Sequence, residues 1–218
     1  MEEYYNVDDQ AQAVKAWLKK YSVSIIIGLI LGIALFYAVQ MFMNKQAAAS
    51  QKAAEAYIVL LNATAIANNP QITDIANDIV KNYPKTPYAS MAQFFAAQVA
   101  VNAAQYDKAD SQLQWVIDHS SVASFRQIAR IRLARILLQQ QKISDAETVL
   151  KKVDDKTYMP FIEMLTGDIY LTQKQYDKAK NAYESALNGA SQFSGLASML
   201  QMKLSDPQLT QMTQGAKK

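Results

Sequence analysis

The chain contains no cysteine. Disulfides, thiolate catalysis and cysteine-held zinc are therefore excluded, and no redox compartment is ruled out. Glycine (6) and proline (5) are scarce among 218 residues. That scarcity, with abundant alanine, favours helices over sheet. One histidine is present, His119, and it stands beside Asp118 and Ser120. Adjacency in sequence does not make a catalytic triad, because such groups must converge in space; His119 reads as a solvated loop residue. No glycine-rich phosphate loop and no H-E-x-x-H pattern occur. Asp154-Asp155 lacks partner carboxylates at metal-binding spacing and reads as a helix terminus. No catalytic, cofactor-binding or metal-binding constellation is visible, so the chain reads as a non-enzyme. Charge of one sign is also missing. With 22 basic and 19 acidic side chains the net charge is +3, too balanced for a nucleic-acid-binding surface.

What is present begins with "SVSIIIGLILGIALFYAVQMFMNK", residues 22–45, uncharged until its last residue. Residues 23–43 span about 31 Å as a helix at ~1.5 Å per residue, matching a hydrocarbon core of ~30 Å. Twelve of these 21 residues are Val, Ile, Leu or Phe, together contributing about −5 kcal/mol to insertion. A buried soluble helix would carry a polar stripe, and a cleavable signal has a shorter apolar region, ~7–15 residues. The segment reads as a retained transmembrane anchor in a lipid bilayer. Lys15, Lys19 and Lys20 precede it while Lys45 and Lys52 follow. The positive-inside rule thus favours a cytoplasmic N-terminus, with everything beyond the span outside the cytoplasm. Gly28 and Gly32 share one face of the span. They are candidates for packing against another membrane helix, although glycine is also simply frequent in such helices.

Residues 1–22 form a cytoplasmic stub. Asp8 and Asp9 stand where helix caps belong, and Ala11, Val14, Leu18 and Tyr21 fall at helical spacing. The stub is either an amphipathic ramp on the membrane surface or a cytosolic contact site.

Residues 46–204 repeat. "QYDKADSQLQWVI", "KISDAETVLKKV" and "QYDKAKNAYESAL" align on Ala109, Ala146 and Ala179. Tyr106, Ile143 and Tyr176 sit three before the alanine; Leu113, Leu150 and Tyr183 sit four after. Asp107, Ser144 and Asp177 look like N-caps. A helical pattern precedes each copy, with Ala97, Ala134 and Gly167 at its small position. The residues 167–187 are similar to the tetratricopeptide repeat, a pair of antiparallel helices. A small residue belongs where paired helices cross closely, with large ones beside it. A degenerate copy centres on Ala76, with Thr64 at the small position and Pro84 ending its second helix early. The wider first spacing implies a longer connection around residues 119–124. Residues 193–204 suit a last amphipathic helix covering the open end, and residues 205–218 a flexible tail. The fold class is therefore all-α: one transmembrane helix followed by a solenoid of helical hairpins.

In that register one face of the array receives Phe94, Gln98 and Val101, then Ile131, Arg135 and Leu138, then Met164, Asp168 and Leu171. These nine are the candidate peptide groove, with Arg135 and Asp168 placed to pair. The same apolar residues also suit a core. The basic cluster of residues 125–136 places Arg126 and Arg130 on one face, and reads as solvated rather than nucleic-acid-binding.

The order of stub, anchor and repeats resembles the YfgM family, the ancillary subunits of the SecYEG translocon. The resemblance rests on Met1-Glu2 with a nearby tyrosine, Asp9-Gln10 and Ala13-Val14-Lys15 ahead of the span, "RLAR" at residues 132–135 and "MLQMK" at 199–203. It implies a type II protein of the bacterial inner membrane with its repeats in the periplasm. The implied partners are the SecYEG translocon and a PpiD-type periplasmic chaperone, with assistance to secreted or membrane proteins. A link to an RcsB-type regulator on the cytoplasmic side is also implied. An alternative function, stress-response regulator or scaffold acting through the stub, stays open.

Overall fold

A computed structural model describes residues 7–66, 69–207 and 209. The chain divides into two units, Met1–Ala49 and Ser50–Lys218. Helix α1 runs Val7–Ala65, α2 Asn69–Asn82, α3 Pro87–Asn102, α4 Tyr106–His119 and α5 Ala123–Gln139. Then come α6 Ile143–Leu150, a 3-10 turn at Lys156–Tyr158, α7 Met159–Thr172 and α8 Tyr176–Gly189. A second 3-10 turn, Ala190–Gln192, leads into α9 Ser194–Leu204. No strand occurs among the described residues.

In the first unit the stub and the span lie in one helix. Asp8 and Asp9 fall within it rather than ahead of it, because α1 already begins at Val7; residues 1–6 lie outside the described ones. Every large apolar side chain described between Val23 and Met43 is exposed, Val23, Leu35 and Tyr37 each at 67%. An all-round apolar rod has no stable place in water, and a bilayer is the solvent that removes the cost. Trp17 and Tyr21, 5.4 Å apart, precede the span where aromatic side chains anchor at headgroup level. A Cβ added at Gly28 or Gly32 would meet nothing within 4 Å, so the small-residue face is open.

The second unit is a stack of helical hairpins: α3 with α4, α5 with α6, α7 with α8. Ala109, Ala146 and Ala179 are each fully buried, as the shared register requires. Beneath α9 and the three hairpins lies one core, from Ala97 to Leu209. A smaller core joins the end of α1 to α2 and α3 through Leu60, Ala76, Ile79, Ala89, Ala92 and Ala96. Tyr57 adds ring contacts to Tyr88 (5.5 Å) and Phe95 (6.1 Å). Trp115 packs against both cores. At the degenerate copy Ala76 is fully buried, while the Thr64 hydroxyl turns back onto the Leu61 carbonyl at 2.6 Å. Leu209 is also buried, so the core reaches past residue 204 into the stretch expected to be a tail; Gln208 and residues 210–218 lie outside the described ones.

Three other expectations need correction. Asp107, Ser144 and Asp177 are not caps. The N-cap positions belong to Gln105, Lys142 and Gln175, none of which makes a side-chain cap bond. Each hairpin turn instead satisfies the end of its first helix. The Gln105 N–H donates to the Ala100 carbonyl (2.8 Å) and the Ala104 N–H to Val101 (2.9 Å). The same paired bonds recur at Lys142 and Gln141, and at Gln175 and Lys174. This Schellman closure requires a left-handed residue, and Ala104 (φ 55°), Gln141 (φ 60°) and Lys174 (φ 59°) supply it without glycine. Asp107 and Asp177, two residues past the N-cap, lie in the first turn, as Asp145 does in α6, where their charge favours the helix dipole.

The wider first spacing is not a longer loop either. Only residues 120–122 join α4 to α5. The added length goes into α5, 17 residues against 14 for α7. Finally, His119 is not a loop residue. It ends α4, stacks on Trp115 at 4.7 Å, and has its Nδ1 2.9 Å from the Trp115 carbonyl.

The crossing of α7 and α8 leaves no room for a side chain on Gly167. A Cβ on Gly167 would stand 2.6 Å from Tyr183 Cδ1 and closer still to Cε1. Tyr183 is fully buried, and its hydroxyl donates to Asp168 at 2.7 Å, so the ring has nowhere to swing. Gly167→Ala is expected to destabilise by roughly 1–3 kcal/mol, as overpacked cores do. The double variant G167A/Y183L, which copies the alanine–leucine pairing of the earlier hairpins, should recover most of that loss. Gln141→Gly should act oppositely. It relieves a left-handed strain of roughly 1–2 kcal/mol but adds unfolded-state entropy of about 0.5–1 kcal/mol. The net is a rise in melting midpoint of about 2 °C. Thermal melts of the full chain in detergent, followed by circular dichroism, check all three.

Candidate functional site

The first helices of the hairpins, α3, α5 and α7, carry the nine groove candidates on one face. Their surroundings are unequal. Gln98 and Arg135 are exposed, and Phe94, Val101, Leu138, Asp168 and Leu171 are half-buried. Ile131 and Met164 are buried, at 6% and 2% exposure, and belong to the core. Both pack into the core that runs beneath the hairpins, so the sequence register selects the face but not the depth.

Arg135 and Asp168 do not pair with each other. Asp168 accepts from Lys203 Nζ of α9 at 2.6 Å and from the Tyr183 hydroxyl at 2.7 Å. Burial and the hydrogen bond to the Asp168 carboxylate both push the Tyr183 phenol upward, so it stays protonated. The lysine that closes this knot lies in the end helix, outside the repeat motif. No periodicity in the repeats could have announced it.

Arg132 lays its guanidinium over the Phe94 ring at 4.7 Å, and Phe94 meets Phe125 edge-on at 6.1 Å. These contacts join α3 to α5. On the other side of α5, Arg126 and Arg130 are not solvated. Their Nε atoms donate to the two oxygens of Asp154 at 3.1 and 2.8 Å. The Asp154 side chain is 7% exposed. Between them, fully buried Gln127 accepts from the Asp154 N–H at 2.8 Å. Ser124 donates to Asp155 at 2.8 Å, and Asp155 accepts the Thr157 N–H at 3.0 Å. The pair Asp154-Asp155 is thus a terminus device, as its sequence implied, but one fastened to α5. The arginine spacing of four was the available signal; its partner, 24 to 28 residues away, carried none.

This clamp holds the connector that replaces the missing end of α6, which stops at Leu150 after 8 residues. A cleft of about 350 Å³ opens between α6 and α7, lined by Glu147, Leu150, Lys151, Ile162, Ile169 and Tyr170. Its floor is apolar and its rim carries one acid and one base. Among the described residues no group of three His, Cys, Asp or Glu side chains is placed to hold a metal ion. The site offers no activated nucleophile; what it offers is surface, apolar and cationic, on rigid helices.

The comparisons with known proteins agree with that arrangement. The tetratricopeptide repeat-like domain family matches residues 15–208. A curated ancillary SecYEG translocon subunit from Neisseria gonorrhoeae is 31% identical over 81% of this chain and 85% of the relative. The protein of the same name from Escherichia coli is 24% identical over 94% of this chain and 98% of the relative. The one from Haemophilus influenzae is 24% identical, over 93% and 98%. The chain belongs to the ancillary SecYEG translocon subunit (YfgM) family. Family membership fits one apolar N-terminal helix ahead of helical hairpins, and it spans the anchor as well as the repeats.

The clamp gives a pH test. Burial alone would raise the Asp154 carboxyl, but hydrogen bonds and charge from Arg130 and Arg126 outweigh it and hold the group below the ordinary carboxylate range. A depressed folded value adds stability above the unfolded value of about 3.9, and that stability is lost as pH falls through the folded one. Asp154→Asn should cost about 2–3 kcal/mol at neutral pH, because two arginines lose their counter-charge. It should also flatten the acid limb of the stability curve. Denaturant melts from pH 7 to pH 3 read both effects.

Proposed function

We propose that this chain is an anchored accessory subunit of the SecYEG translocon in the bacterial inner membrane. In this reading the N-terminus is cytoplasmic and the hairpins stand in the periplasm. They meet secreted or membrane proteins leaving the channel and work beside a PpiD-type chaperone, without catalysing a reaction. The observation that carries the reading is the conjunction within one chain of an all-round exposed apolar helix and an array of hairpins whose relatives bear the translocon's name.

The physics of such an arrangement is local concentration. A tether keeps the hairpins within a few nanometres of the exit, so contacts too weak to persist in solution still act there. The half-buried Phe94, Val101, Leu138 and Leu171 suit weak, adaptable contact with unfolded chains. Leaving large apolar residues partly wet is unfavourable unless a partner covers them. Gly28 and Gly32, open on the anchor, are the face on which a translocon helix would pack.

Photo-crosslinkers placed at Gln98, Leu138 and Leu171 in the full chain in intact cells test this. Adducts with translocon subunits or with nascent secreted proteins are expected from these positions and not from exposed Lys180. Loss of the chain from alkali-washed membranes, or protection of its C-terminal half from protease added to spheroplasts, would overturn the reading.

A further inference from the structure

The α3–α5 face carries two cations without an ion-pair partner among the described residues. Arg132 and Arg135 are both exposed, stand three residues apart on α5 and therefore project from neighbouring positions. Neither meets a carboxylate among the described residues: the ion pairs of α5 are those of Arg126 and Arg130. The acid that the register places next to Arg135 is Asp168, and it is held by Lys203 and Tyr183. Two adjacent like charges raise each other's energy, and no carboxylate of the described residues stands within ion-pair distance of either. Partial loss of water around the guanidinium and the neighbouring Arg135 charge both act against the charged form of Arg132.

The geometry also prepares Arg132 for an anion. Its guanidinium lies over the Phe94 ring. No hydrogen bond or ion pair among the described residues engages its N–H groups, the fork that matches a carboxylate. Phe125, packed edge-on with Phe94, adds a second apolar ring to the one beneath Arg132.

We propose that Arg132 and Arg135 form an anion-accepting edge that takes an acidic peptide segment of another protein, its carboxylate on the two guanidiniums and its apolar neighbour on Phe94 and Phe125. The proposal rests on the reading that this face meets polypeptides and adds what it selects. Charge complementarity identifies the occupant. The aromatic floor beside the cations favours a side chain over a bare phosphate, and two exposed arginines on a helix already packed at its flanks do not make a membrane-binding stripe.

The full chain in detergent, titrated against a short fluorescent peptide with two aspartates flanking a leucine, tests it by anisotropy. A twin peptide carries asparagines. The aspartate peptide should bind about tenfold or more tightly, and the preference should shrink from about 0.05 to 0.5 M salt. The double variant R132Q/R135Q should erase the preference, R135K should keep part of it, and K180Q all of it. Unchanged circular dichroism shows that the variants fold. Equal binding of the twins, no binding of either, a preference intact in the double variant, or an arginine-dependent interaction seen only with phosphatidylglycerol vesicles would each overturn the proposal. Crosslinks from Leu138 to other proteins, with twins that bind alike, would leave the face a polypeptide surface and remove only its taste for acids.

Discussion

The repeat unit depends on one steric bargain: a residue with little or no side chain faces a large one where two helices cross. Gly167 opposes Tyr183, and the equivalent positions hold Ala97 with Leu113 and Ala134 with Leu150, all buried in one core. Helix axes approach closely only where side-chain volume is low on one side. Fixing that approach fixes the hairpin, and stacking hairpins fixes which face of α3, α5 and α7 remains for partners. Tyr183 then does more than fill space. Its hydroxyl binds Asp168, Asp168 binds Lys203, and α9 is thereby fastened over the last hairpin by polar bonds as well as by Leu196 and Leu200.

Much of this was legible in the sequence because periodicity reports packing. The three buried alanines, the small crossing positions and the apolar anchor all follow from spacing alone. What stayed hidden was long-range and polar. Nothing local marks Asp154 as the partner of Arg126 and Arg130, or Lys203 as that of Asp168, because ion pairs between distant segments leave no period. The turns were misread for a related reason. A polar residue ahead of an apolar run resembles a cap, but here a left-handed alanine, glutamine or lysine closes the preceding helix and the next one starts two residues early. Depth was also beyond reach. Ile131 and Met164 share the register of exposed Arg135 and half-buried Asp168, and only the neighbouring elements decide which is covered.

The candidate site is correspondingly a surface and not a pocket with chemistry. Apart from buried Ile131 and Met164 its apolar members are half-covered, its acid is engaged by α9, and Arg132 and Arg135 stand on α5 without an ion-pair partner among the described residues. A face of that kind recognises by summed weak contacts and by sign of charge. Such recognition suits a protein held near its partners by an anchor, where local concentration supplies what each contact lacks.

The two tryptophans stand in different units, Trp17 ahead of the span and Trp115 where both cores of the hairpin array meet. The chain therefore carries its own pair of optical reporters. The indole of Trp17 registers the polarity of the bilayer's edge. That of Trp115, lying flat against His119, responds to any parting of the two cores. Loosening in the array and movement at the lipid boundary are separable by emission alone, once either ring is replaced by phenylalanine.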